Sequence, residues 1–512
     1  MHLNIVMILI NSSPKNALKI FQPFLPISVP IGIGCLAAAM EREGINVEIL
    51  DEQIEDDVLK KIAEYTDKAS KPYIFGFSVL TAALKSAIDL SKKLKEIYPD
   101  SVVIFGGIHP TAMPEEIMAY KHIDFVLRGE AEKSLLELYR AIKAKTDYSK
   151  IPGLSYRKDN KVLHNPFNFI VEDFDSYPSF PYHRFAGNKR YDLGFVVSSR
   201  GCPYRCIFCS NRITTGRRYR YRSASLIAKE LEILNEKYGQ KFVMFVDDNL
   251  LVNKERIFSL IEEIKKRNLH KKMTFSFQAR GDNTDEKILG DLYEAGFRSV
   301  FFGMETSSEE IMKVIKKDET VAQCVAAAKL AKKIGYHVSA TFIYGFPGET
   351  REDRMNCVKI SRDLKLDMVR YNNATPYPGT ELYSIAVKEN ILNIQGLYEN
   401  FVSVSTFIEN PFKRIPFTYV PDGSSEDELR RDILFSYFSF YFDINRLKQI
   451  FIKPEQGVGW FSAGKKISDV IKKIPGLIIL CFMMGVKFFQ LFYYMVIKKE
   501  TRLSLGEFLK VF

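Results

Sequence analysis

The chain has 512 residues, of which 46% are hydrophobic and 26% charged, and its formal net charge is +11. This length suggests two to four domains, and the balanced composition argues against disorder, a collagen-like fibre or a polytopic membrane protein. The positive charge fits nucleic acid, an anionic membrane surface or acidic cofactors alike. Because no secretory leader opens the chain, we expect a cytoplasmic protein.

Residues 1–145 alternate apolar strands with amphipathic helices. The segments LNIVMILI, NVEILD, YIFGFSVL and SVVIFGG are predicted to be strands, with helices between them. Repetition at this spacing predicts an α/β, doubly wound, Rossmann-like domain, whose ligands bind at the carboxyl ends of the strands. Residues 146–191 are rich in Pro, Asp, Asn and Tyr and show no long period, so we predict a linker there.

Strands and helices alternate again across residues 192–390. This succession predicts a complete or partial (β/α) barrel of TIM type, in which chemistry is expected at the carboxyl ends of the strands. Beyond residue 390 the composition becomes rich in Phe and Tyr. We predict that residues 391–512 form a helical region containing an apolar segment, 474–497.

Three cysteines lie close together directly after the first strand of the predicted barrel. Cys202, Cys206 and Cys209 have the spacing C-x3-C-x2-C in VVSSRGCPYRCIFCSN. Thiolates are the ligands of iron–sulfur clusters, and three of them leave one iron of a four-iron cluster open. The alternative is a structural zinc site, which would lack a fourth ligand because no suitably spaced His or Cys follows.

This loop resembles the signature of the radical S-adenosylmethionine superfamily. The resemblance implies a 4Fe–4S cluster whose open iron chelates the amino and carboxylate groups of S-adenosylmethionine. An electron from an external donor of flavodoxin or ferredoxin type then cleaves the carbon–sulfur bond, and a 5′-deoxyadenosyl radical results. Tyr204 and Phe208 would shield the cluster.

Later segments match the same superfamily in the same order, namely FVDDN, FQARGD, GMETSSEE and IYGFPGET. By this resemblance, Glu305 and Arg280 are candidates for the polar groups of S-adenosylmethionine. Gly345, Pro347 and Gly348 are candidates for close approach to its adenosyl part. The alternative for each segment alone is ordinary turn chemistry.

A run of arginines, GRRYRYRS, follows the cysteine loop. Interleaved aromatic and basic residues can form a nucleic-acid patch, although such a run is more often a solvated face. By the resemblance we favour contact with an anionic cofactor or substrate group, and we expect no nucleic-acid partner. The run contains Arg217, Arg218, Arg220 and Arg222.

The first domain resembles the cobalamin-binding domains that precede many radical enzymes. Ser78 and Leu80, followed by Gly106 and Gly107, reproduce the S-x-L and G-G elements that admit the nucleotide tail of cobalamin. His109 beside the glycines is either a further contact or a histidine packed in a strand-end loop. The D-x-H-x-x-G element is missing, so cobalamin would bind without a lower-axial histidine.

Two alternatives remain for this domain. A dinucleotide site is disfavoured because G-x-G-x-x-G is absent after the first strand. A domain that has kept the fold but lost cobalamin is the other alternative.

The apolar segment 474–497 is long enough for a membrane span, but Lys487 and Gln490 fall inside it. We favour an interfacial helix with Lys487 snorkelling to the headgroups, and hence peripheral membrane association on the cytoplasmic face. A buried helix capping the barrel is the alternative. Membrane attachment would hint at a lipid-like substrate.

The first hypothesis for the reaction is a cobalamin-dependent radical methyltransferase that methylates an unactivated carbon of a hydrophobic or lipid-like small molecule. The second is an oxidoreductase or cyclase similar to the anaerobic magnesium-protoporphyrin ester cyclase, and a related variant is carbon–carbon coupling of lipids. A membrane- or RNA-binding scaffold with a dead catalytic fold is disfavoured by the intact cysteines. No residue in the catalytic core separates the first two hypotheses.

Overall fold

The computed structural model describes residues 5–14, 27–67, 69–166, 173–441 and 467–497. Of the segment NSSPKNALKIF, residues 11–21, in which D-x-H-x-x-G is missing, residues 15–21 lie outside these ranges. The strands are β1 Ile5–Asn11, β2 Ile27–Ser28, β3 Val47–Asp51, β4 Ser70–Ser78, β5 Val102–Gly106, β6 Phe125–Leu127, β7 Leu154–Lys158, β8 Lys161–His164, β9 Tyr191–Asp192, β10 Phe195–Val196, β11 Ser199–Arg200, β12 Arg220–Tyr221, β13 Phe242–Phe245, β14 Thr274–Ala279, β15 Phe297–Glu305, β16 His337–Tyr344 and β17 Met368–Asn373.

The helices lie between and after these strands. In chain order they are α1 Ile31–Arg42, α2 Val58–Thr66, α3 Leu84–Ile97, α4 Ile108–Ala112, α5 Pro114–Met118, α6 Glu132–Ala144, α7 Asn211–Thr215, α8 Ala224–Tyr238, α9 Lys254–Lys266, α10 Glu286–Glu294, α11 Glu309–Val314, α12 Val321–Ile334, α13 Arg351–Asp363, α14 Glu381–Lys388, α15 Ser405–Ile408, α16 Glu426–Tyr441 and α17 Ile467–Phe492. A π-helical turn, Tyr493–Ile497, continues α17.

The first domain is built on a sheet with the strand order β3-β1-β4-β5-β6-β7-β8. The first five strands in this order, β3, β1, β4, β5 and β6, are parallel. Successive side chains of a strand point to opposite faces, so Ile8 and Ile10 enter one core and Met7 and Leu9 the other. Helices α2 and α3 cover the first face, and α1 and α6 the second. The predicted doubly wound domain is confirmed.

The sheet extends further than the sequence predicted. Strands β7 and β8 form an antiparallel hairpin on its edge, inside the segment expected to be a linker. Asp159 and Asn160 at the hairpin turn both have positive φ, at 51° and 60°. Two such residues are typical of a tight hairpin turn. The polar composition of this segment therefore reflects a turn and short edge strands.

The second domain is a partial barrel of six parallel strands in the order β10-β13-β14-β15-β16-β17. Its core holds packed aromatic rings: the centroids of Phe275 and Phe297 are 5.0 Å apart, and those of Phe245 and Phe297 are 5.4 Å apart. The barrel prediction is confirmed. Because the strands are parallel, the loops after them meet at one edge.

The C-terminal region is helical and rich in aromatic residues, as predicted. Helix α16 is fixed to the barrel by the buried Arg354 of α13, whose Nε donates to Asp432 Oδ2 at 2.8 Å and whose Nη2 donates to Glu428 Oε1 at 2.6 Å. Helix α17 in turn packs on α16 around Phe438 and Leu491. The apolar segment is therefore joined to the folded protein.

Within the described ranges, no helix combines the length and the apolar character needed to cross a membrane. The expectation that Lys487 snorkels outward was wrong. Its side chain is 1% exposed, and its Nζ donates to the carbonyl oxygens of Thr406 at 2.6 Å and Phe407 at 2.9 Å. Carbonyl acceptors inside the protein replace the water or headgroups that an outward lysine would meet.

Candidate active site between the two domains

The three cysteines lie on a loop whose ends are held together by the antiparallel strands β11 and β12. Gly201 starts the loop with φ +85°, and a side chain there would collide with the carbonyl group of Arg218. Glycine is therefore required at this position. Within the loop, the Cys209 N–H donates to the carbonyl oxygen of Cys206 at 3.2 Å and forms a turn.

The middle of this loop is anchored to the barrel. The Ile207 N–H donates to the carbonyl oxygen of Ile315 at 3.0 Å, and the Ile207 carbonyl accepts from the Leu382 N–H at 3.0 Å. The ring of Phe208 packs against that of Phe346, with centroids 5.4 Å apart. The backbone that carries the thiols is thus held before any ligand binds.

Burial raises the pKa of all three thiols, and that of Cys209 reaches about 12. The negative charge of a Cys206 or Cys202 thiolate would raise the pKa of Cys209 further. Thiolates are therefore disfavoured here unless a cation compensates them. Among the described residues, no three His, Cys, Asp or Glu side chains are arranged to hold a single metal ion.

Tyr204 of the cysteine loop is clamped by residues that follow β14. The Arg280 guanidinium lies over its ring, 3.6 Å from the centroid, and is held there by a bidentate pair with Asp282, both distances 3.0 Å. The Tyr204 hydroxyl donates to Asn283 Oδ1 at 2.9 Å, which also accepts from Asn249. Arg280 is thus committed to Asp282 and to the ring of Tyr204.

Glu305 ends β15 in a strained conformation, with φ +63° and a buried side chain. Burial raises the pKa of its carboxyl group despite Lys317, whose Nζ lies 3.6 Å from Glu305 Oε1 and 2.9 Å from Glu319 Oε1. Glu305 Oε2 has no hydrogen-bond partner among the described residues. Gly303 makes room for this carboxylate, because a Cβ there would collide with it. Strained residues and unpaired buried acceptors cluster at ligand sites.

The turn after β16 contains the other predicted contacts. Gly345 and Gly348 have φ +93° and +78°, and the Gly345 N–H donates to Glu349 Oε2 at 2.6 Å. A Cβ at Gly345 would lie 3.2 Å from Leu429 of α16. Pro347 is half-buried and Gly348 exposed. Gly345 therefore lies close to the C-terminal helix, while Pro347 and Gly348 lie nearer the surface.

The predicted cobalamin residues meet at the carboxyl edge of the first sheet. Ser78 and Gly106 end the neighbouring strands β4 and β5 and are register partners. Gly107 has φ +96°, and a Cβ there would lie 2.8 Å from the Val79 nitrogen. Leu80 follows with 58% of its surface exposed. The edge thus combines close backbone packing with an exposed apolar side chain.

His109 lies below this edge, 1% exposed. Its ring packs edge-on against Tyr398, with centroids 4.8 Å apart, and its Nδ1 is 3.4 Å from Thr81 Oγ1. Burial lowers the pKa of the imidazole to about 4. His109 is therefore a neutral imidazole packed among protein groups, between the first domain and the C-terminal region.

The two predicted cofactor sites meet at one junction. Helix α4, directly after Gly107, packs against α7, which begins two residues after Cys209. Gly379 completes the contact, because a Cβ there would lie 2.9 Å from Ile213 of α7 and 3.1 Å from Ala112 of α4. The carboxyl edges of both sheets thus share one interface.

The arginine run takes a different role from the expected one at two of its positions. Arg220 makes a bidentate pair with Glu130 of the first domain, and Arg222 pairs with Glu230. All four side chains are less than 10% exposed. Contact with an anionic ligand was the wrong prediction for Arg220 and Arg222, because protein carboxylates already neutralise them.

Comparison with known proteins agrees with this arrangement. The family model described as "Radical SAM superfamily" matches residues 196–359, and the model described as "B12 binding domain" matches residues 23–139. An uncharacterized methyltransferase of Pyrococcus horikoshii is 36% identical over 369 residues, which cover 71% of this chain and 79% of that protein. The chain belongs to the cobalamin-dependent radical SAM enzymes.

Other relatives differ in reaction. The anaerobic magnesium-protoporphyrin IX monomethyl ester cyclase of Rubrivivax gelatinosus is 27% identical, over 83% of this chain and 76% of its own length. The hopanoid C-3 methylase of Methylococcus capsulatus is 24% identical, over 69% and 67% respectively. Methyltransferases and cyclases thus both occur among the relatives of this radical SAM enzyme.

Two solved structures share the fold. The radical S-adenosylmethionine methyltransferase TsrM from Kitasatospora setae, with cobalamin and a 4Fe–4S cluster bound, aligns with a TM-score of 0.63 and 22% identity, over 75% of this chain and 78% of its own. The cobalamin-dependent radical enzyme OxsB, with aqua-cobalamin and S-adenosylmethionine bound, aligns with a TM-score of 0.68 and 16% identity, over 96% and 80%. The resemblance to OxsB extends over nearly the whole chain.

The residues present fit the three cofactors of this radical SAM family. Burial raises the pKa of the three thiols, so they form thiolates only when a cation compensates the charge. The iron ions of an iron–sulfur cluster supply that compensation. The unpartnered Glu305 Oε2 is an acceptor suited to an N–H of the amino group of S-adenosylmethionine. At the cobalamin edge, the buried Ser12 hydroxyl beside Ser78 also has no partner in the described part of the chain, and Leu80 offers an apolar surface.

Sequence reasoning missed Lys317 and Glu319, which set the charge around Glu305. Lys317 remains an ammonium in a buried position because two carboxylates offset its desolvation. Both residues lie in the polar run KKDET, which carries no pattern of its own. Asp247 was also missed; it accepts from the backbone N–H and hydroxyl of Ser198 below the cysteine loop.

Proposed function

We propose that this enzyme is a radical methyltransferase that transfers a methyl group to an unactivated carbon of a hydrophobic, lipid-like small molecule. The observation that carries the proposal is the contact between α4 and α7, which brings the Gly106–Gly107 edge of the first sheet to the cysteine loop. A reaction that needs two cofactors on one substrate carbon requires such a junction.

The role of the chain's own residues is to bind and orient the cofactors. Cys202, Cys206 and Cys209 would hold the cluster, and Glu305 would accept a hydrogen bond from the amino group of S-adenosylmethionine. Arg280 and Asp282 act indirectly, because they hold Tyr204 of the cysteine loop in place. When bound, the cofactors supply an electron, a hydrogen-abstracting radical and a methyl group. A protein of flavodoxin or ferredoxin type would deliver two electrons for each methyl group, one for radical formation and one to return the cobalamin to the state that accepts a methyl group.

On the first domain, Ser78, Leu80, Gly106 and Gly107 line the cobalamin site. Two equivalents of S-adenosylmethionine are consumed for each methyl group transferred, one as the source of the radical and one as the source of the methyl group. The substrate binds between this edge and the cysteine loop. His109 supports the edge from below by packing on Tyr398.

A lipid-like substrate is supported by an apolar surface on the C-terminal region. Ile478, Phe482, Phe489 and Tyr493 align along one side of α17 and its continuation, opposite the buried Lys487, with Phe482 61% and Phe489 72% exposed. Soluble domains rarely expose such a stripe without a partner. The hopanoid methylase among the relatives is consistent with this substrate class.

We further propose that this stripe docks on an anionic membrane at the cytoplasmic face. A second segment extends the apolar surface: Gln490 Nε2 donates to the carbonyl oxygen of Pro411, next to the 73% exposed Phe412. Lys413 and Arg414 are exposed beside it. In the sequence, lysine pairs flank the apolar segment 474–497 at 472–473 and 498–499. Aromatic residues rimmed by cations are typical of interfacial membrane binding.

Anaerobic reconstitution with iron, sulfide and hydroxocobalamin tests the methyltransferase. With dithionite as the reductant, S-adenosylmethionine labelled in its methyl group and a lipid extract as substrate, we expect label in one lipid together with 5′-deoxyadenosine and S-adenosylhomocysteine. The Cys202, Cys206 and Cys209 to Ala triple variant should yield neither 5′-deoxyadenosine nor labelled lipid, whereas Cys481→Ala, at an exposed thiol, should behave as the wild type. Formation of 5′-deoxyadenosine by the triple variant would refute the assignment.

A radical oxidoreductase or cyclase is the second candidate, favoured by the similarity to the magnesium-protoporphyrin ester cyclase. The same experiment separates the two. A cyclase would form 5′-deoxyadenosine without transfer of the label, and product oxygen would derive from labelled water. Carbon–carbon coupling of lipids would give a product with neither label.

A further inference from the structure

The cysteine loop is tied to the first domain at both of its ends. Arg200 and Arg220 are register partners in the hairpin β11–β12 that opens and closes the loop. Arg220 donates to both carboxylate oxygens of Glu130, at 2.6 and 2.9 Å. Arg200 lies 2.7 Å from Glu132 Oε1 and 3.6 Å from Glu130 Oε1. Both carboxylates belong to the junction between β6 and α6.

These four charged groups are largely removed from water. The exposed fractions of the four side chains lie between 5% and 14%. Phe174 and Tyr177 cover the Arg200 guanidinium, with ring centroids 5.1 and 5.9 Å away. Two positive and two negative charges oppose each other, so the group is neutral as a whole and strongly directional. We refer to these four residues as the junction cluster.

A buried ion-pair group of this kind is a poor way to gain stability, since apolar residues of similar volume often do as well or better. Its distinctive property is geometric. A bidentate pair fixes both the distance and the plane of its partners, and a partner that moves away leaves a buried charge uncompensated. The cluster therefore favours one relative placement of the hairpin and the β6–α6 junction.

We infer that Glu130 and Glu132 are positioning residues that, through Arg220 and Arg200, hold the cysteine loop at a fixed separation from the Ser78–Gly106 edge. Neither carboxylate touches the loop's thiols, so both act through the arginines. The inference rests on the proposed function in one respect, namely that two cofactors act on one carbon. Small misplacements of reacting groups are costly, and a shift of about 1 Å can lower a rate roughly a hundredfold.

The first test measures the junction itself in cofactor-free protein. In Glu130→Gln the carboxylate charge is lost while the shape is kept, so Arg220 stays buried and uncompensated. We expect amide hydrogen exchange in residues 199–222 to become at least about tenfold faster than in the wild type, because the free energy of local opening falls. The reciprocal variant Glu130→Arg with Arg220→Glu restores opposite charges at these two positions and should recover part of the protection, since Arg200, 3.6 Å from Glu130 Oε1, then faces an arginine.

The control is another buried pair of the same length and exposure. Arg430 and Glu409 lie 2.6 Å apart, 5% and 8% exposed, in the C-terminal region. Glu409→Gln should loosen its own surroundings and leave residues 199–222 unchanged. Unchanged exchange in Glu130→Gln, or equal acceleration in Glu409→Gln, would overturn the inference. If Glu130→Gln fails to fold, the charge-reversed double variant decides alone. A role of Glu130 that does not act through Arg220 would leave residues 199–222 unprotected from hydrogen exchange in that variant.

The second test uses protein loaded with iron–sulfur cluster and cobalamin. Pulsed dipolar spectroscopy between the reduced cluster and cob(II)alamin should give one narrow distance distribution in the wild type and in Glu409→Gln, and a broader one in Glu130→Gln at equal iron and cobalamin content. An equally narrow distribution in Glu130→Gln would count against a positioning role. If the wild type takes up no cobalamin, the proposed methyltransferase fails, while the exchange measurement still decides whether the junction cluster holds the loop.

Discussion

The Nζ of Lys487 lies 2.6 Å from the carbonyl oxygen of Thr406, so the one charge in the middle of the apolar helix points into the protein. This direction leaves the opposite side of α17 to Phe482 and Phe489. The helix therefore has one face that packs on the folded protein and one apolar face that meets the surroundings.

The buried ammonium predicts a particular pH dependence of stability. Burial lowers the pKa of Lys487 to about 8, with Arg430 adding to the effect and Glu409 opposing it. The cost of holding the charge in the folded state is fully present below pH 8. It is relieved as the pH rises toward the ordinary value of 10.5, because the unfolded state then binds more protons. A shift of this size corresponds to about 3 kcal/mol.

Lys487→Met removes this titration. Apparent melting midpoints of the wild type and the variant, measured from pH 7 to 10.5, should differ by an amount that moves in favour of the wild type above pH 8. The exposed Lys413→Met is the control and should show no such trend relative to the wild type. A constant difference between the wild type and Lys487→Met would mean that the ammonium is not destabilised by burial.

The exposed stripe predicts membrane binding that depends on it. Burying one large apolar side chain contributes about 1.5–3 kcal/mol, so Phe482→Glu with Phe489→Glu should weaken partition onto vesicles by at least about a hundredfold. Flotation with phosphatidylglycerol–phosphatidylcholine vesicles measures this, and pure phosphatidylcholine should bind less protein. Ile97→Glu, at a 54% exposed position of α3, is the matched control and should still float. Failure of the wild type to float would refute membrane docking.

The sequence predicted what depends on neighbouring residues and missed what depends on tertiary contact. The three cysteines fall within eight residues, and the strand patterns repeat locally. The two sheets could therefore be predicted, and the cysteines could be singled out as a candidate cluster site. Arg220 and Glu130 are 90 residues apart, and the carbonyl partner of Lys487 is 81 residues away. Neither pairing leaves a periodic or compositional signal.

A substitution at Gly107 tests whether the Ser78–Gly106 edge binds cobalamin. An alanine there is strained at φ +96°, and its Cβ would press on the Val79 nitrogen, so the loop that carries Leu80 must move. We expect Gly107→Ala to lose most of the hydroxocobalamin retained after reconstitution and desalting, measured by absorbance. Gly44→Ala has a similar strain, at φ +72°, with no atom within 4 Å, and should retain cobalamin. Equal retention by the two variants would show that the close approach of β4 and β5 is unrelated to cobalamin.

We expect the carboxylate of Glu305 to contribute to the affinity of the protein for S-adenosylmethionine. Its unpartnered Oε2 is already desolvated, so an N–H of the incoming amino group gains a hydrogen bond to a charged acceptor without a further burial cost to the carboxylate. Removal of such a bond typically costs about 1.5–3 kcal/mol, so Glu305→Gln should raise the Kd for S-adenosylmethionine roughly 10- to 150-fold. Equilibrium dialysis on cluster-loaded protein measures the change. Glu310→Gln, at an exposed position of the following helix α11, should bind as the wild type does. If Glu305→Gln also binds normally, the amino group must be recognised elsewhere, and the strain at φ +63° would then serve only the packing of Lys317 between Glu305 and Glu319.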